Sequence, residues 1–177
     1  MVHEVVELPK EHGALEFGDF VLSSGERSPY YLDVKKVVTN PVALQRIGAI
    51  IAGAHEFDVV AGVAVGGIPL AVAVALAKQR PFAIVRKEEK GHGKAGRIIG
   101  DVGGRRVLLV EDVTTSGGSA LDGVRALRAA GGTVELAVTG VDREAGAAAR
   151  LAKEGVRLEA LARASEILRA VEENSNR

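Results

Sequence analysis

The chain has no cysteine and no tryptophan, and it has a single methionine. Without thiols, disulfides, thiolate metal sites and cysteine nucleophiles are excluded, and the redox compartment is left open. An excess of charge of one sign is missing as well. Lys+Arg and Asp+Glu are 23 each, so no global field draws the protein to nucleic acid or to an anionic membrane, and any anion binding must be local. Long hydrophobic runs are nearly absent. The one charge-free stretch of membrane-spanning length, residues 59–77, is broken by Gly62, Gly66, Gly67 and Pro69 and filled mainly with alanine. It reads as a buried strand, a glycine turn and an alanine-rich helix rather than a transmembrane span. The first residues carry acids where a signal peptide needs a basic and then an apolar run, so the protein is expected to be cytoplasmic. His3, His12 and His55 show no metal-ligand spacing.

What is present fits a folded domain. Of 177 residues, 26% are charged and 47% hydrophobic, a balance that excludes general disorder and supplies one full core. One domain over residues 1–177 is expected, with a cap segment over about 1–35 and a mobile loop over 86–100. The cap combines a weakly helical 3–16 with two short strands, 17–22 and 30–34, around a Ser/Gly/Pro turn. Asn40-Pro41 predicts a helix start, with asparagine as N-cap and proline in the first turn, and an apolar stripe runs on to about residue 55. Strands are then expected at 59–65, 82–86, 107–110, 134–141 and 156–161, and helices at 69–78, 118–130, 145–154 and 165–173. Alternation of this kind implies an α/β fold with a mainly parallel central sheet covered by helices on both faces.

The chemistry concentrates in residues 107–120. An apolar strand ends in Glu111 and Asp112, and a loop rich in hydroxyls and glycine follows: Val113, Thr114, Thr115, Ser116, Gly117, Gly118, Ser119. Carboxylates at the carboxyl edge of a parallel sheet stand where open α/β folds place ligands. Backbone N–H groups just ahead of a helix bind phosphate. Together they point to a sugar phosphate, the acids accepting from ribose hydroxyls and the loop wrapping the phosphate. No Gly-Lys-Ser/Thr ending supplies the lysine of a P-loop.

This run resembles the phosphoribosyl-pyrophosphate (PRPP) signature of the type I phosphoribosyltransferases. Three more segments match that family in order. The turn Gly66-Gly67 corresponds to its pyrophosphate loop. The run Arg86, Lys87, Lys90, His92 resembles the catalytic lid of the orotate-using branch, in which it reaches into the neighbouring subunit. Asp142-Arg143 corresponds to the arginine that meets the orotate carboxylate.

The resemblance implies transfer of the phosphoribosyl group of PRPP to orotate, with Mg²⁺ bound mainly through PRPP and no metal site from protein alone. On it, Lys90, His92, Glu111 and Asp112 are catalytic. Arg86, Lys87, Gly66, Gly67 and the 111–119 loop bind PRPP, and Thr115, Arg143, Tyr31 and Leu32 contact orotate. It also implies a homodimer, no nucleic acid and no membrane. Two departures stand out, because Ser23 and Gly66 occupy positions where bacterial relatives often carry lysine. A phosphoribosyltransferase for uracil or a purine, or an inactive PRPP-sensing regulator, remains as an alternative. Gly91-x-Gly93-x-x-Gly96 is formally a dinucleotide fingerprint, but charged residues separate it from its strand and no apolar helix follows.

Overall fold

The computed structural model describes residues 13–21, 27–87 and 96–175. Strands β1 (Leu15–Val21) and β2 (Arg27–Leu32) pair antiparallel as a hairpin. They are followed by a short helix, α1 (Val34–Val38), in place of the expected end of a strand. Asp33 decides this locally, because its carboxylate accepts from the Lys35 N–H and caps the turn. Likewise residues 13–16 lead into β1 rather than forming helix.

Helix α2 (Pro41–Ala54) begins as Asn40-Pro41 predicts, the Asn40 side chain accepting from the N–H groups of Val42 and Ala43. Then come β3 (Val59–Val63), α3 (Gly67–Lys78), β4 (Phe82–Val85), β5 (Ile98–Ile99) and β6 (Arg106–Thr114). The chain continues through α4 (Gly118–Ala129), β7 (Thr133–Asp142), α5 (Ala147–Ala152), β8 (Arg157–Arg163) and α6 (Ala164–Ser175). The two-residue β5 carries no propensity signal of its own. It adds antiparallel to the edge strand β4 through Ile84–Ile99 and Val85–Ile98 pairs.

The six strands lie in the order β5-β4-β3-β6-β7-β8, parallel except for β5. From β3 the chain moves outward to β4 and then returns to the other side of β3 with β6. A crevice opens between β3 and β6 at their carboxyl ends, the switch point at which such sheets hold ligands. Each face of the sheet has its own core. On one face Leu108, Val110 and Val138 pack with Val37 of α1, Ile47 and Ile51 of α2, Leu70 and Val74 of α3, and Ile167 of α6. On the other, Val59, Leu109 and Ala137 pack with Val124 and Leu127 of α4 and Leu151 of α5. Fully buried Leu108 and Leu109 alternate between the two, as a period of two requires. The hairpin joins the first core through Ala14 and Tyr30. The Asp33 N–H to Ala14 carbonyl bond and Lys36, donating to Gly13 O and Glu16, tie it to α1.

Candidate active site

The two central carboxylates belong to β6 rather than following it. On one side β6 pairs with β3 only as far as Val110, opposite Gly62. On the other it stays in register with β7 to Thr114, opposite Asp142. Glu111 and Asp112 therefore project past the end of β3 while β7 still holds them straight, and the turn after β3 fills the gap.

That turn fits because it lacks side chains. A Cβ on Gly66 would fall 2.5 Å from Asp112 Oδ1 and closer still to the rest of the carboxylate. One on Gly67 would lie 2.6 Å from the Val110 carbonyl oxygen. Gly140 of β7 closes in from the opposite side, where a Cβ would stand 2.7 Å from the Asp112 carbonyl oxygen. Distances this short admit no carbon, so three glycines from two neighbouring segments bear on the strand end that carries Glu111 and Asp112. The role of Gly140 has no sequence signal, because a glycine in a strand announces a close approach without saying to what.

Glu111 is 8% exposed and its Oε2 has no partner, while Ser119 in the first turn of α4 bonds its carboxylate. Burial pushes its pKa up to about 7, the charge of Asp112 adds to the rise, and Ser119 and Lys87 act the other way. This gives a measurable sign. From the ordinary 4.5 to about 7, the unfolded chain releases this proton while the folded protein keeps it, so stability falls as pH rises through that window. At about 1.4 kcal/mol per pKa unit, the loss is on the order of 3 kcal/mol. Glu111→Gln is expected to remove that component. Denaturant midpoints at pH 5 and 7.5 measure it, and an identical pH dependence in wild type and variant would rule it out.

The loop behind the carboxylates is built for an anion. Gly117 takes a left-handed conformation (φ 73°) and leads into α4, whose N-terminus no side chain caps. The first N–H groups of α4 and its positive dipole end therefore face outward between Ser116 and Ser119. Helix α3 likewise starts at Gly66 without a side-chain cap. The two helix N-termini flank the crevice, one beside Asp112 and one bonded to Glu111.

The other expected residues divide. Arg143 leaves β7 with its N–H bonded to the Thr114 carbonyl (2.9 Å), so the phosphate loop and the candidate carboxylate-binding arginine begin from one point. Asp142 accepts from the Glu144 N–H, and Glu144, at φ 60°, accepts from Ser165 N. Lys87 is exposed and close enough to Glu111 to lower its pKa. Arg86 turns back on its own loop, donating from Nη2 to the Gly96 carbonyl, while Arg97 Nε donates to the Arg86 carbonyl. Tyr31 packs against Phe20, with ring centroids 5.6 Å apart. Leu32 pairs through its backbone with Leu15. Thr115 and Ser116 lie in the loop as expected, but the loop is shorter than the sequence suggested: Val113 and Thr114 still belong to β6, held by β7 beside them, and Gly118 already starts α4. The Thr114 hydroxyl is buried without a partner. Lys90, His92 and Ser23 lie outside the described residues.

Residues 33–163 match the phosphoribosyl transferase domain family. The orotate phosphoribosyltransferase of Methanoculleus marisnigri is 62% identical over 168 residues, covering 95% of this chain and 99% of its own. Among solved structures, the orotate phosphoribosyltransferase of Aeropyrum pernix superposes with a TM-score of 0.84 at 37% identity, over 95% of this chain and 98% of its own. The Mycobacterium tuberculosis orotate phosphoribosyltransferase in complex with PRPP does so at 0.77 and 32% identity, over 94% and 98%.

Proposed function

The chain belongs to the phosphoribosyltransferase family, in its orotate branch, and from that premise we propose the roles of its residues in moving the phosphoribosyl group from PRPP to orotate. The products are orotidine 5′-phosphate and pyrophosphate, a step of pyrimidine biosynthesis. The observation that carries the assignment of roles is the crevice between β3 and β6, where Asp112 meets the Gly66-Gly67 turn and Glu111 meets the α4 N-terminus.

Ribose C1 becomes cation-like as the bond to pyrophosphate lengthens, and negative charge gathers on the departing group. No protein nucleophile is needed. The chain must align two anionic substrates and favour the separated charges. Glu111 and Asp112 accept from the ribose hydroxyls and place negative charge near the developing cation. The N–H groups of the Gly66-Gly67 turn face the pyrophosphate, and the Thr115–Ser119 loop holds the 5′-phosphate. Arg143 meets the orotate carboxylate in a charge-assisted pair, with Thr115 as a second contact to the base and the hairpin residues Tyr31 and Leu32 covering it.

Among the described residues no cluster of three or more His, Asp or Glu is placed to hold a metal. Asp112 beside the pyrophosphate turn fits an ion that arrives on the donor. Mg²⁺ bound mainly through PRPP would neutralise the leaving group there.

The cationic loop that starts at Arg86 is assigned the part of a lid, with Lys87, Lys90 and His92 supplying charge and excluding water, and it is shared across a homodimer. The outer side of α3 supports the dimer. From Ile68 to Ala77 it carries no charge, Leu76 is 67% exposed, and a groove of about 480 Å³ runs between it and Leu44 of α2. An exposed apolar face of this kind suits a second copy of the chain. Sedimentation equilibrium reads this directly, and a monomeric mass would remove it. Among the described residues no helix is long and apolar enough to cross a membrane. With charged, phosphorylated substrates, the cytoplasm is the proposed location.

One experiment tests the function. The protein is incubated with PRPP and Mg²⁺, and consumption of orotate, uracil, adenine and hypoxanthine is compared. Orotate alone should be consumed, and Arg143→Ala should raise the KM for orotate at least tenfold, the scale of a lost charge-assisted pair. Consumption of another base would overturn the acceptor, and consumption of none would overturn the reaction.

A further inference from the structure

Helix α5 is only six residues long, yet it is fixed against the phosphate loop. Ala147 and Leu151, four residues apart and so on one face, are buried in the sheet core at 1% and 0% exposure. Ala147 also backs the loop itself, since a Cβ on Gly117 would lie 3.0 Å from Ala147 Cα. With those two residues turned inward, Arg150 is left at the edge of α5 nearest α4. Its Nη1 stands 3.3 Å from where a Cβ on Gly118 would be. The guanidinium therefore lies over the first residue of α4, beside Ser116, whose hydroxyl oxygen is 3.9 Å from the same point.

Two features suggest that this position serves a ligand. The first is the company it keeps: Ser119 in the same helical turn bonds Glu111, a nine-tenths buried carboxylate with one oxygen unpartnered. The second is its lack of competing partners. Nearby arginines are paired, Arg125 with Glu154 and Arg128 with the Glu154 and Val134 carbonyl oxygens. Among the described residues no carboxylate forms an ion pair with Arg150. A cation left unpaired at an uncapped helix N-terminus adds to the positive potential there instead of cancelling it.

We propose that Arg150 is a further binding residue for the 5′-phosphate of the donor, adding a side-chain cation to a loop that otherwise offers backbone N–H groups and hydroxyls. The inference rests on the assignment of residues 115–119 as the 5′-phosphate loop. Because Arg150 is exposed, its contribution is to affinity and to capture of the anion, and it is not a catalytic residue. It meets the ground state and the transition state alike, so its loss should raise KM for PRPP and leave kcat unchanged.

The test compares ribose 5-phosphate, which has the monoester and no pyrophosphate, with pyrophosphate alone. Calorimetric titrations with both, plus PRPP, are run on wild type, Arg150→Gln and Arg150→Lys. Arg150→Gln should weaken ribose 5-phosphate and PRPP about tenfold, the scale of one charge-assisted phosphate contact, with pyrophosphate unaffected. Arg150→Lys should recover part of the loss, since the charge stays and the two-pronged geometry goes. Equal binding of ribose 5-phosphate by wild type and Arg150→Gln overturns the inference alone. Equal weakening of ribose 5-phosphate and pyrophosphate also overturns it, because that reports a general field. A wild type that binds neither PRPP nor ribose 5-phosphate overturns the loop assignment, and this inference with it.

Discussion

Asp112→Asn should lower kcat by about 10²-fold, the scale of losing a charge-assisted contact made in the transition state, and should leave the melting temperature unchanged or higher. Both halves follow from how Asp112 is held. Asp112 is 9% exposed, its charge raises the pKa of Glu111, and among the described residues no hydrogen-bond donor reaches its carboxylate. Two acids side by side at a strand end, one of them unpartnered, cost the free protein stability. The cost is recovered when ribose hydroxyls donate to them and a positive centre forms nearby. Asparagine keeps the shape and one acceptor oxygen but gives up the charge, so the folded state loses a repulsion and the transition state loses an attraction. Glu111 should respond too, its pKa falling towards the ordinary carboxylate value. Kinetics at saturating PRPP and a thermal melt decide the matter together. Undiminished turnover would remove Asp112 from the chemistry, and a large fall in melting temperature would make its role structural.

The parts of this site that could be read in the sequence are those in which a residue acts through its own chemistry. Glu111 and Asp112 at the end of an apolar strand and the Thr/Ser/Gly loop ahead of α4 follow from residue type and spacing, and so does the parallel sheet. Elements fixed by partners distant in sequence were not legible. The short β5 exists because Ile98 and Ile99 meet an open edge of β4, and no pattern in two residues foretells that. The extension of β6 to Thr114, past the expected end at residue 110, follows from β7 continuing beside it. Helix α5 shrank to Ala147–Ala152 because the turn before it is spent on Asp142 and Glu144 contacts. Arg150 and Gly140 gave no signal for the same reason. Each matters through what stands opposite it, on another segment of the chain.

Gly66→Ala should cost nearly as much turnover as Asp112→Asn while leaving the fold intact, although alanine is the smallest change available. The backbone does not demand glycine here, because Gly66 has φ −67° and ψ −31°, ordinary helical values open to any residue. Space does demand it. The Asp112 carboxylate lies where the Cβ would be, and that carboxylate is the movable end of a side chain, so it is the group that yields. Its displacement carries it away from the ribose, with the Asp112 main chain still held against Gly140. Stability should change by no more than about 1 kcal/mol, because a Gly→Ala replacement at a compatible φ also restricts the unfolded chain. The same crowding gives a physical account of the missing lysine. A lysine at residue 66 brings a Cβ to this spot, so it requires a different Asp112 position from the one seen here. A double-mutant comparison separates this route from loss of the turn's own grip on pyrophosphate. If Gly66 acts through Asp112, Gly66→Ala/Asp112→Asn will be no slower than Asp112→Asn alone, and pyrophosphate affinity will match wild type. If the two losses multiply and pyrophosphate binding weakens, Gly66 serves the leaving group directly and the steric coupling is wrong.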